Sequence, residues 1–226
     1  LKGLNSKNQL VLNSNQRKIA RDNLLSQLKE QGFKANPSSI ASNGIIITEN
    51  NNSLFSLNEY KKGLFFVQGE LSQLPSASIK KEGKFSLLDG FSGKGGKAIA
   101  SSLLFPDCVI DALEISSSQI LRLKENIDRM NLKNINIVQA DFFDFMKSSP
   151  LYDVILIDPP CSSIGVISKY PELKTLVSKA NILILAEKQK AALHLSVTKL
   201  KPGGELIYSV CTFTIDETKE VIDDFL

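Results

Sequence analysis

The sequence predicts an α/β protein: a doubly wound, mostly parallel sheet that follows a smaller α/β segment. From Phe85 onward, short apolar runs alternate with amphipathic segments. This alternation is typical of parallel strands joined by right-handed helical crossovers. The unbroken apolar run at residues 154–157 suits a strand that is covered on both faces. In such sheets a ligand lies beyond the carboxyl ends of the strands, near the switch in strand order.

The smaller segment is expected at residues 1–64. Apolar residues recur at helical spacing over residues 17–32, which predicts a helix that ends at Gly32. The β-branched residues 44–48 predict a strand, and residues 49–53 have the composition of a turn.

The larger domain is expected at residues 65–226. Its strands are predicted at residues 85–89, 108–114, 135–138, 152–158 and 205–210. Its helices are predicted at residues 98–104, 116–130 and 215–226, together with a long helix. The long helix is marked by Ile182, Leu185, Ala186, Leu193 and Leu200, and it is expected to end at Pro202-Gly203-Gly204.

Composition excludes several classes of protein. The 226 residues are 42% hydrophobic with a net charge of +3, which suits a globular core rather than an acidic disordered tail or a histone-like polycation. The apolar runs are far shorter than the ~20 residues of a membrane span. Residues 1–5 lack the apolar core of a signal peptide. Since the chain starts without Met, we expect a fragment of a longer protein.

Cysteine usage and charge distribution add two expectations. Three cysteines argue against a disulfide framework and favour a reducing, cytoplasmic environment. Residues 1–80 carry ten Lys/Arg and five Asp/Glu, whereas residues 81–226 carry 17 and 19. The basic first part has two interpretations: an ordinary solvated surface, or a surface that follows a phosphate backbone.

A glycine-rich turn, residues 89–97, follows the strand at 85–89. Glycines let a backbone approach a ligand closely, and the next helix offers free N–H groups there. The turn is neither a P-loop nor a G-x-G-x-x-G motif, and a tight strand–helix connection without a ligand is the alternative.

Two carboxylates follow the next two strands. Glu114 lies 21 residues beyond Gly93 and is placed to accept both hydroxyls of a ribose; an exposed loop residue is the alternative. Asp141 could accept a hydrogen bond from an adenine amino group or cap the helix that follows it. Together the two acids suit a ligand that contains adenosine.

Two thiols follow two strands that we expect to be neighbours. Cys161 comes after Asp158-Pro159-Pro160, and Cys211 comes fifty residues later. Thiols and a carboxylate could therefore converge, with Lys97 lowering a thiol pKa. A small buried side chain is the alternative for Cys161.

Two further residues are expected to be structural. Cys108 lies at the amino end of its strand, and His194 lies inside the long helix. No spacing of His or Cys indicates a metal.

Several motifs resemble the Sun/Fmu-type (NSUN) RNA cytosine-5 methyltransferases, in particular their bacterial ribosomal RNA small-subunit methyltransferase B branch. The turn at residues 89–97 keeps the Asp and the Gly-Gly-Lys of the family's Asp-x-Cys-Ala-Ala-Pro-Gly-Gly-Lys. Residues 158–162, with Gly165 and residues 169–171, are similar to the family's Asp-Ala-Pro-Cys-Ser, Gly and basic-x-Pro steps.

Two more segments carry the resemblance, which runs from about residue 8 to the end of the chain. Residues 208–212 with Asp216-Glu217 resemble the family's Tyr-x-Thr-Cys-Ser and Glu-Glu helix start. Residues 67–72 resemble its Val-Gln-Asp-x-x-Ser segment.

The resemblance implies a Rossmann-like class I methyltransferase that uses S-adenosylmethionine to make 5-methylcytosine in RNA. It implies Cys211 as nucleophile, Cys161 as an aid to product release, and Lys97 and Asp158 as contacts to the cytosine. The cofactor positions that it implies are Phe91, Ser92, Gly93, Lys94, Gly95, Gly96, Lys97, Glu114, Asp141 and Asp158.

The resemblance also implies partners. Ribosomal RNA, 16S in particular, is the expected substrate and tRNA the second choice. The expected protein is a cytoplasmic monomer without a metal, whose small α/β segment is similar to an RNA-recognition domain.

The chain departs from the family's pattern at a few positions. This chain has Lys94 where the family has Pro, Gly90-Phe91 where it has Leu-Cys, Gly69 where it has Asp, and Val210 where it has Thr. The family also continues past the position of Leu226 into a final strand pair and carries an N-terminal helical domain, which this chain is expected to lack.

Two other functions fit part of the sequence. Amino-group methyltransferases carry Asp/Asn-Pro-Pro followed by an aromatic residue; residues 158–160 fit, but Cys161 follows and Cys211 has no role. A non-catalytic RNA-binding module with a decayed cofactor turn is the other alternative.

Overall fold

A computed structural model describes residues 10–49 and 53–226 of the chain. The predictions for residues 1–5, and the predicted turn where it covers residues 50–52, lie outside this part. Two sheets organise the described residues, one small and antiparallel, the other larger and parallel.

The small sheet comes first and has the order β2-β3-β1-β4 with antiparallel pairing. Its strands are β1 (Leu10–Ser14), β2 (Lys34–Pro37), β3 (Gly44–Glu49) and β4 (Phe65–Val67). Helix α1 (Arg21–Glu30) packs on it through buried leucines at helical spacing, which are Leu24, Leu25 and Leu28. The predicted first helix and the predicted strand at 44–48 are confirmed with slightly different ends, whereas β1, β2 and β4 were not predicted.

The large sheet is parallel and has the order β7-β6-β5-β8-β9. Its strands are β5 (Ser86–Asp89), β6 (Val109–Glu114), β7 (Ile135–Gln139), β8 (Tyr152–Ile157) and β9 (Leu200–Tyr208). The chain runs outward from β5 to β7 and then returns to β8, so the switch in strand order lies between β5 and β8. The predicted doubly wound α/β fold is confirmed.

Helix α2 (Asn58–Lys61) packs beside β4 of the small sheet. The remaining helices are α3 (Glu70–Ala77), α4 (Gly96–Leu104), α5 (Ser117–Met130), α6 (Phe142–Ser148), α7 (Leu173–Leu176), α8 (Lys179–Val197) and α9 (Lys219–Phe225). Five of these, α4, α5, α6, α8 and α9, cover the two faces of the large sheet. One core lies between the sheet and α4 with α5, and a second lies between the sheet and α6, α8 and α9. Residues 154–157 of β8 are fully buried, as the unbroken apolar run predicts.

The long helix ends earlier than predicted. α8 ends at Val197, and Leu200 and Pro202-Gly203-Gly204 lie in β9 instead of closing the helix. β9 is at the edge of the sheet, where a proline is tolerated. Its register with β8 shifts between Tyr152 and Val154, and Gly203 has a φ of +72°. The proline–glycine stretch is therefore an irregularity in an edge strand.

The small sheet is joined to the large one through polar contacts at β4 and α4. The Gln68 side chain accepts a hydrogen bond from Asn13 Nδ2 (2.9 Å) and donates one to the Gly96 carbonyl (3.0 Å). The predicted division between residues 64 and 65 falls just before β4, which pairs with β1 of the small sheet.

Within residues 10–49 and 53–226, no helix is both long and apolar enough to cross a bilayer.

Candidate active site

The candidate site lies where β5, β8 and β9 end, at the switch in strand order. Asp89 is the last residue of β5, Asp158 directly follows β8, and residues 209–212 follow β9. The Ser209 N–H donates to the Ile157 carbonyl at 3.0 Å, so the two chain exits leave the sheet side by side. This is the edge at which parallel sheets bind ligands.

Lys97 and Asp158 form an ion pair at this edge. Lys97 lies in the first turn of α4, and its Nζ donates to Asp158 Oδ2. Their side chains are 13% and 29% exposed, so the pair is shielded but reachable. Because Asp158 is the first residue after β8, the ion pair lies where the chain leaves this strand, and the Asp158 charge is close enough to act on Cys211.

The two cysteines predicted to converge lie together. Cys161 Sγ and Cys211 Sγ are 3.2 Å apart, both as free thiols, with Cys211 exposed and Cys161 half-buried. Ser163 Oγ lies 3.3 Å from Cys211 Sγ and 3.8 Å from Cys161 Sγ. A Cβ at Gly165 would lie 2.8 Å from the Cys211 carbonyl oxygen, so glycine allows the two loops to touch.

The thiols differ in acidity because they share one hydrogen bond. The hydrogen bond from Cys161, helped by Ser163, lowers the pKa of Cys211 to about 6. The same contact, together with burial, raises the pKa of Cys161. The expectation that Lys97 lowers a thiol pKa is wrong in its cause: Lys97 pairs with Asp158, and the Cys211 thiolate is stabilised by its neighbouring thiol.

A buried carboxylate, Glu217, holds the two cysteine loops together. It is fully buried and accepts from the Ser162 N–H at 2.7 Å and from the Ser162 hydroxyl. Thr214 and Thr212 donate to its Oε2 at 2.8 and 3.2 Å. Burial alone would raise the pKa of Glu217, but these hydrogen bonds outweigh it and hold the pKa below its usual value. Sequence reasoning missed this role; only the Asp216-Glu217 resemblance pointed to the residue.

Gln189 of α8 extends the same network. Its Nε2 donates to the Pro160 carbonyl at 3.0 Å and to Glu217 Oε1 at 3.1 Å, and its Oε1 accepts from the Tyr208 hydroxyl at 3.0 Å. The proline exit before Cys161 is thereby fixed to the helix that packs beneath it.

A cavity of about 480 Å³ adjoins the ion pair. It lies over the ends of β5, β6 and β7. Its lining includes Gly90 and Gly93 of the glycine turn, the carboxylates Glu114, Asp141 and Asp158, and the phenylalanines Phe91, Phe142 and Phe143. The Phe91 ring stacks on Phe142 with centroids 4.5 Å apart. A Cβ at Gly90 would come within 2.7 Å of the Phe142 ring, so this glycine allows the turn to lie against the wall. The volume suits a nucleoside-sized ligand.

Asp89 is an unsatisfied carboxylate beneath the glycine turn. It is 1% exposed; its Oδ2 accepts from Ser92 Oγ at 3.1 Å, and its Oδ1 has no hydrogen-bond partner among the described residues. Burial raises its pKa to about 6. A buried polar atom without a partner is rare and commonly marks a place for a ligand or water.

Glu114 and Asp141 reach the cavity while bonded to backbone. Glu114 accepts from the Gly93 N–H at 2.9 Å and the Ser116 N–H at 2.8 Å. Asp141 caps α6: its Oδ1 accepts from the N–H groups of Phe143 (2.8 Å) and Asp144 (3.2 Å). The helix-cap alternative for Asp141 is thus observed, and neither bond uses its Oδ2.

Five residues of the predicted cofactor turn are outside the lining of this cavity, namely Ser92, Lys94, Gly95, Gly96 and Lys97. Lys94 and Gly96 line a separate groove between the small sheet and α5. Gly95 has a φ of +85°, and a Cβ there would lie 2.2 Å from Leu123 Cδ1, so glycine is needed for the turn itself.

The two residues expected to be structural lie away from the site. Cys108 is buried just before β6, and burial raises its pKa to about 11. His194 is exposed, with Nε2 3.2 Å from Asp224. Within residues 10–49 and 53–226, no three His, Cys, Asp or Glu side chains are grouped as metal ligands would be.

Two family models match the chain. The one described as 16S rRNA methyltransferase RsmB/F matches residues 78–226. The one described as the ferredoxin-like domain of the RsmF/B-like methyltransferases matches residues 1–53. The first match contains every strand of the large sheet, and the second contains β1, β2 and β3 of the small sheet, whereas β4 lies between the two matches.

Curated relatives match along nearly the whole chain. A probable ribosomal RNA small subunit methyltransferase B of Coxiella burnetii is 30% identical, covering 98% of this chain and 53% of its own length. The human 28S rRNA (cytosine(4447)-C(5))-methyltransferase is 29% identical, covering 95% of this chain and 27% of its own length. The chain spans about half the length of the bacterial small subunit methyltransferases B that it matches.

Solved structures share the fold. NSun6 from Pyrococcus horikoshii with SFG has a TM-score of 0.88 at 20% identity, covering 98% of this chain and 80% of that one. A methyltransferase homolog protein from the same organism has a TM-score of 0.87 at 24% identity, covering 98% and 70%.

The shared hydrogen bond predicts the reactivity of Cys211. The rate at which iodoacetamide alkylates Cys211 should have a pH midpoint of about 6, because only the thiolate reacts. Cys161→Ala removes the donor and should move the midpoint above about pH 7.5, whereas Cys161→Ser keeps a donor and should leave it near the wild-type value. Mass spectrometry of the modified peptide measures the rate. A wild-type midpoint near the ~8.5 of an ordinary thiol would contradict the assignment.

Proposed function

The chain belongs to the 16S rRNA methyltransferase RsmB/F family, and from that premise we propose that it transfers a methyl group from S-adenosylmethionine to carbon 5 of a cytosine in ribosomal RNA. The observation that carries this proposal is the pair of thiols 3.2 Å apart beside the Lys97–Asp158 ion pair. A nucleophile and a proton-handling partner at one sheet edge fit chemistry on a pyrimidine ring.

Cys211 is the proposed nucleophile. Carbon 5 of cytosine is a poor nucleophile, and addition of a thiolate to carbon 6 makes carbon 5 enamine-like. With a pKa of about 6, Cys211 is mostly thiolate at neutral pH without any other base. Its exposure leaves the sulfur open to a base that is turned out of a single strand or a helix.

Lys97 and Asp158 are proposed to hold the cytosine ring edge. Addition to carbon 6 places negative charge on the ring, and a fixed ammonium nearby stabilises it. Asp158 keeps the Lys97 amine oriented. Asp158, held in place by Lys97, is proposed to accept a hydrogen bond from the edge of the ring.

Cys161 is proposed to act in the second half of the reaction. In the free protein the charge on Cys211 helps to raise the pKa of Cys161. Once the Cys211 sulfur is bonded to carbon 6, that negative charge is gone, so the Cys161 thiol ionises more easily. Its own proton passes to solvent, and the Cys161 thiolate is then placed to take the carbon 5 proton. The electrons of that carbon–hydrogen bond restore the carbon 5–carbon 6 double bond as the carbon–sulfur bond breaks and the Cys211 thiolate leaves.

The residues around the cavity fit S-adenosylmethionine, which when bound supplies the sulfonium methyl group. Glu114 would hold the ribose hydroxyls and Asp141, through its Oδ2, the adenine amino group. One observation supports this assignment: the buried Asp89 Oδ1 has no hydrogen-bond partner among the described residues. The ammonium group of the methionine part of the ligand would provide a charged donor for it.

The small domain, predicted at residues 1–64, is proposed to grip the RNA, in agreement with its basic balance. The proposed substrate is 16S ribosomal RNA, with tRNA as the second choice. The protein is proposed to work as a cytoplasmic monomer and to use neither a metal nor a membrane.

The orphaned carboxylate predicts a stability–function conflict at Asp89. A buried acid whose folded-state pKa is raised from 3.8 to about 6 binds its proton more tightly in the folded state. Stability therefore falls as pH rises from about 4 to about 6, by a total on the order of 3 kcal/mol, and stays lower above that range. Asp89→Asn should recover much of that free energy near pH 7, little near pH 4, and weaken S-adenosylmethionine binding at least about ten-fold.

Urea unfolding at both pH values and calorimetry with the cofactor measure these effects. Asp153→Asn is the matched control, because a hydrogen bond from Lys201 lowers the pKa of Asp153 to about 2; its loss should reduce stability and leave cofactor affinity unchanged. An Asp89→Asn protein that is destabilised yet binds the cofactor normally would show that Asp89 is only structural.

The proposed role of Cys161 predicts a trapped intermediate. Cys161→Ala, incubated with S-adenosylmethionine and 16S rRNA near pH 8.5, where Cys211 remains ionised without its donor, should accumulate a covalent protein–RNA adduct. A denaturing gel detects the adduct as a slow band.

Two controls make this experiment decisive. Cys211→Ala should abolish methyl transfer, and the double variant should give no adduct. Methyl transfer that is undiminished in Cys211→Ala would favour the amino-group alternative, and a Cys161→Ala protein that turns over normally without a band would remove Cys161 from the release step.

A further inference from the structure

A second groove, of about 650 Å³, lies between the small sheet and helix α5. It is outside the cavity assigned to the cofactor, with aromatic and apolar residues on one wall and charged residues on the other. The residues that line it include Phe55, Tyr60, Phe66 and Val67 of the first part of the chain, and Lys94, Gly96, Arg122, Glu125, Asn126 and Arg129 of the second.

The two walls are fixed to each other by Arg129. Its guanidinium donates to the carbonyls of Tyr60 (2.6 Å) and Phe65 (3.1 Å) and to Asn126 Oδ1 (3.0 Å). It also lies 3.8 Å from the centroid of the Tyr60 ring. A Cβ at Gly63 would come 2.5 Å from the Arg129 carbonyl oxygen. These contacts make the groove a preformed feature.

Two other cationic side chains in the groove do not join its walls as Arg129 does. Lys94 and Arg122 are exposed, and among the described residues neither has an ion-pair partner. Glu125 is the one acid in the lining, so the groove keeps an excess of positive charge. Cations held on a rigid wall and left without counter-charges are suited to a phosphate.

An exposed aromatic ring completes the groove. Phe55 is 57% exposed, although its edge packs on Tyr60 with centroids 5.1 Å apart. A large ring left in water beside free cations is the combination with which proteins hold a single-stranded nucleotide, its base stacked and its phosphate paired.

The groove adjoins the candidate active site through the glycine turn. Lys94 and Gly96 belong to the glycine turn, and the next residue, Lys97, pairs with Asp158. Gln68 holds the Gly96 carbonyl, which fixes the turn between the two sites. The glycine turn is therefore the part of the chain that separates the ion pair from the cations of the groove.

We propose that this groove binds a nucleotide of the substrate strand that flanks the target cytosine, with its phosphate on Lys94 and Arg122 and its base on Phe55. This inference rests on the proposed function, because it assumes that single-stranded RNA reaches the site. It also assigns a use to Lys94, which stands where the family has Pro.

Titration of a fluorescein-labelled single-stranded RNA of about twelve nucleotides at two salt concentrations tests the groove. Arg122→Ala should weaken binding several-fold and reduce the salt slope by about one. Phe55→Ala should weaken it about ten-fold with the slope unchanged. Glu125→Gln should tighten binding, since it removes the opposing charge. Lys124→Ala and Leu121→Ala, exposed on α5 outside the groove, should bind like wild type.

The outcomes separate this inference from the proposed function. Calorimetry with S-adenosylmethionine should give wild-type affinity for Arg122→Ala and Phe55→Ala. The proposal that the groove binds a nucleotide is overturned if both variants keep wild-type affinity for RNA. It is also overturned if the wild-type chain binds the cofactor but not RNA. Displacement of the RNA by polyglutamate of equal charge points to an acidic protein and also overturns it. A wild-type chain that binds neither cofactor nor RNA contradicts the proposed function itself.

Discussion

The candidate site depends on one buried carboxylate. Glu217 lies at the start of the last helical region, yet it takes hydrogen bonds from the loop after β8 and the loop after β9. Hydrogen bonds to a charged group are the stronger ones, at about 1.5–3 kcal/mol each, and they offset the cost of burying the charge. Because Ser162 adjoins Cys161 and Thr212 adjoins Cys211, this anchor brings the two sulfur atoms within 3.2 Å.

Charge is handled differently in the two halves of the site. At the thiols, the hydrogen bond between the two sulfur atoms lowers the pKa of Cys211 and raises that of Cys161, so Cys211 is ionised and Cys161 is protonated. At the glycine turn Asp158 is compensated by Lys97, whereas Asp89 is left without a full set of partners. Polar groups that hold the backbone have hydrogen-bond partners, whereas the carboxylate placed to meet a ligand lacks one. This distribution suits a protein in which binding is gained at some cost in folding stability.

The sequence predicted those features of the fold and the site that depend on a single local pattern of residues. The alternation of apolar runs predicted the strands of the large sheet, and turn chemistry placed Asp158, Cys161 and Cys211 at its carboxyl edge. The short strands β1, β2 and β4 carry too few residues for a clear period, and Pro202 looked like a helix stop because nothing local shows that β9 is an edge strand. The Glu217 network and the Lys97–Asp158 pair join residues far apart in the chain, so no spacing could reveal them.

The central claim is that Cys211, acidified by Cys161, attacks carbon 6 of a cytosine. The most direct test uses an RNA that carries 5-fluorocytidine at the methylated position, because fluorine at carbon 5 cannot leave as a proton and the sulfur–carbon bond persists. After reaction with S-adenosylmethionine and digestion, mass spectrometry should find the nucleotide and one added methyl group on the peptide that contains Cys211. A nucleotide attached to Cys161, or a modified RNA released without any covalent protein, would contradict this account.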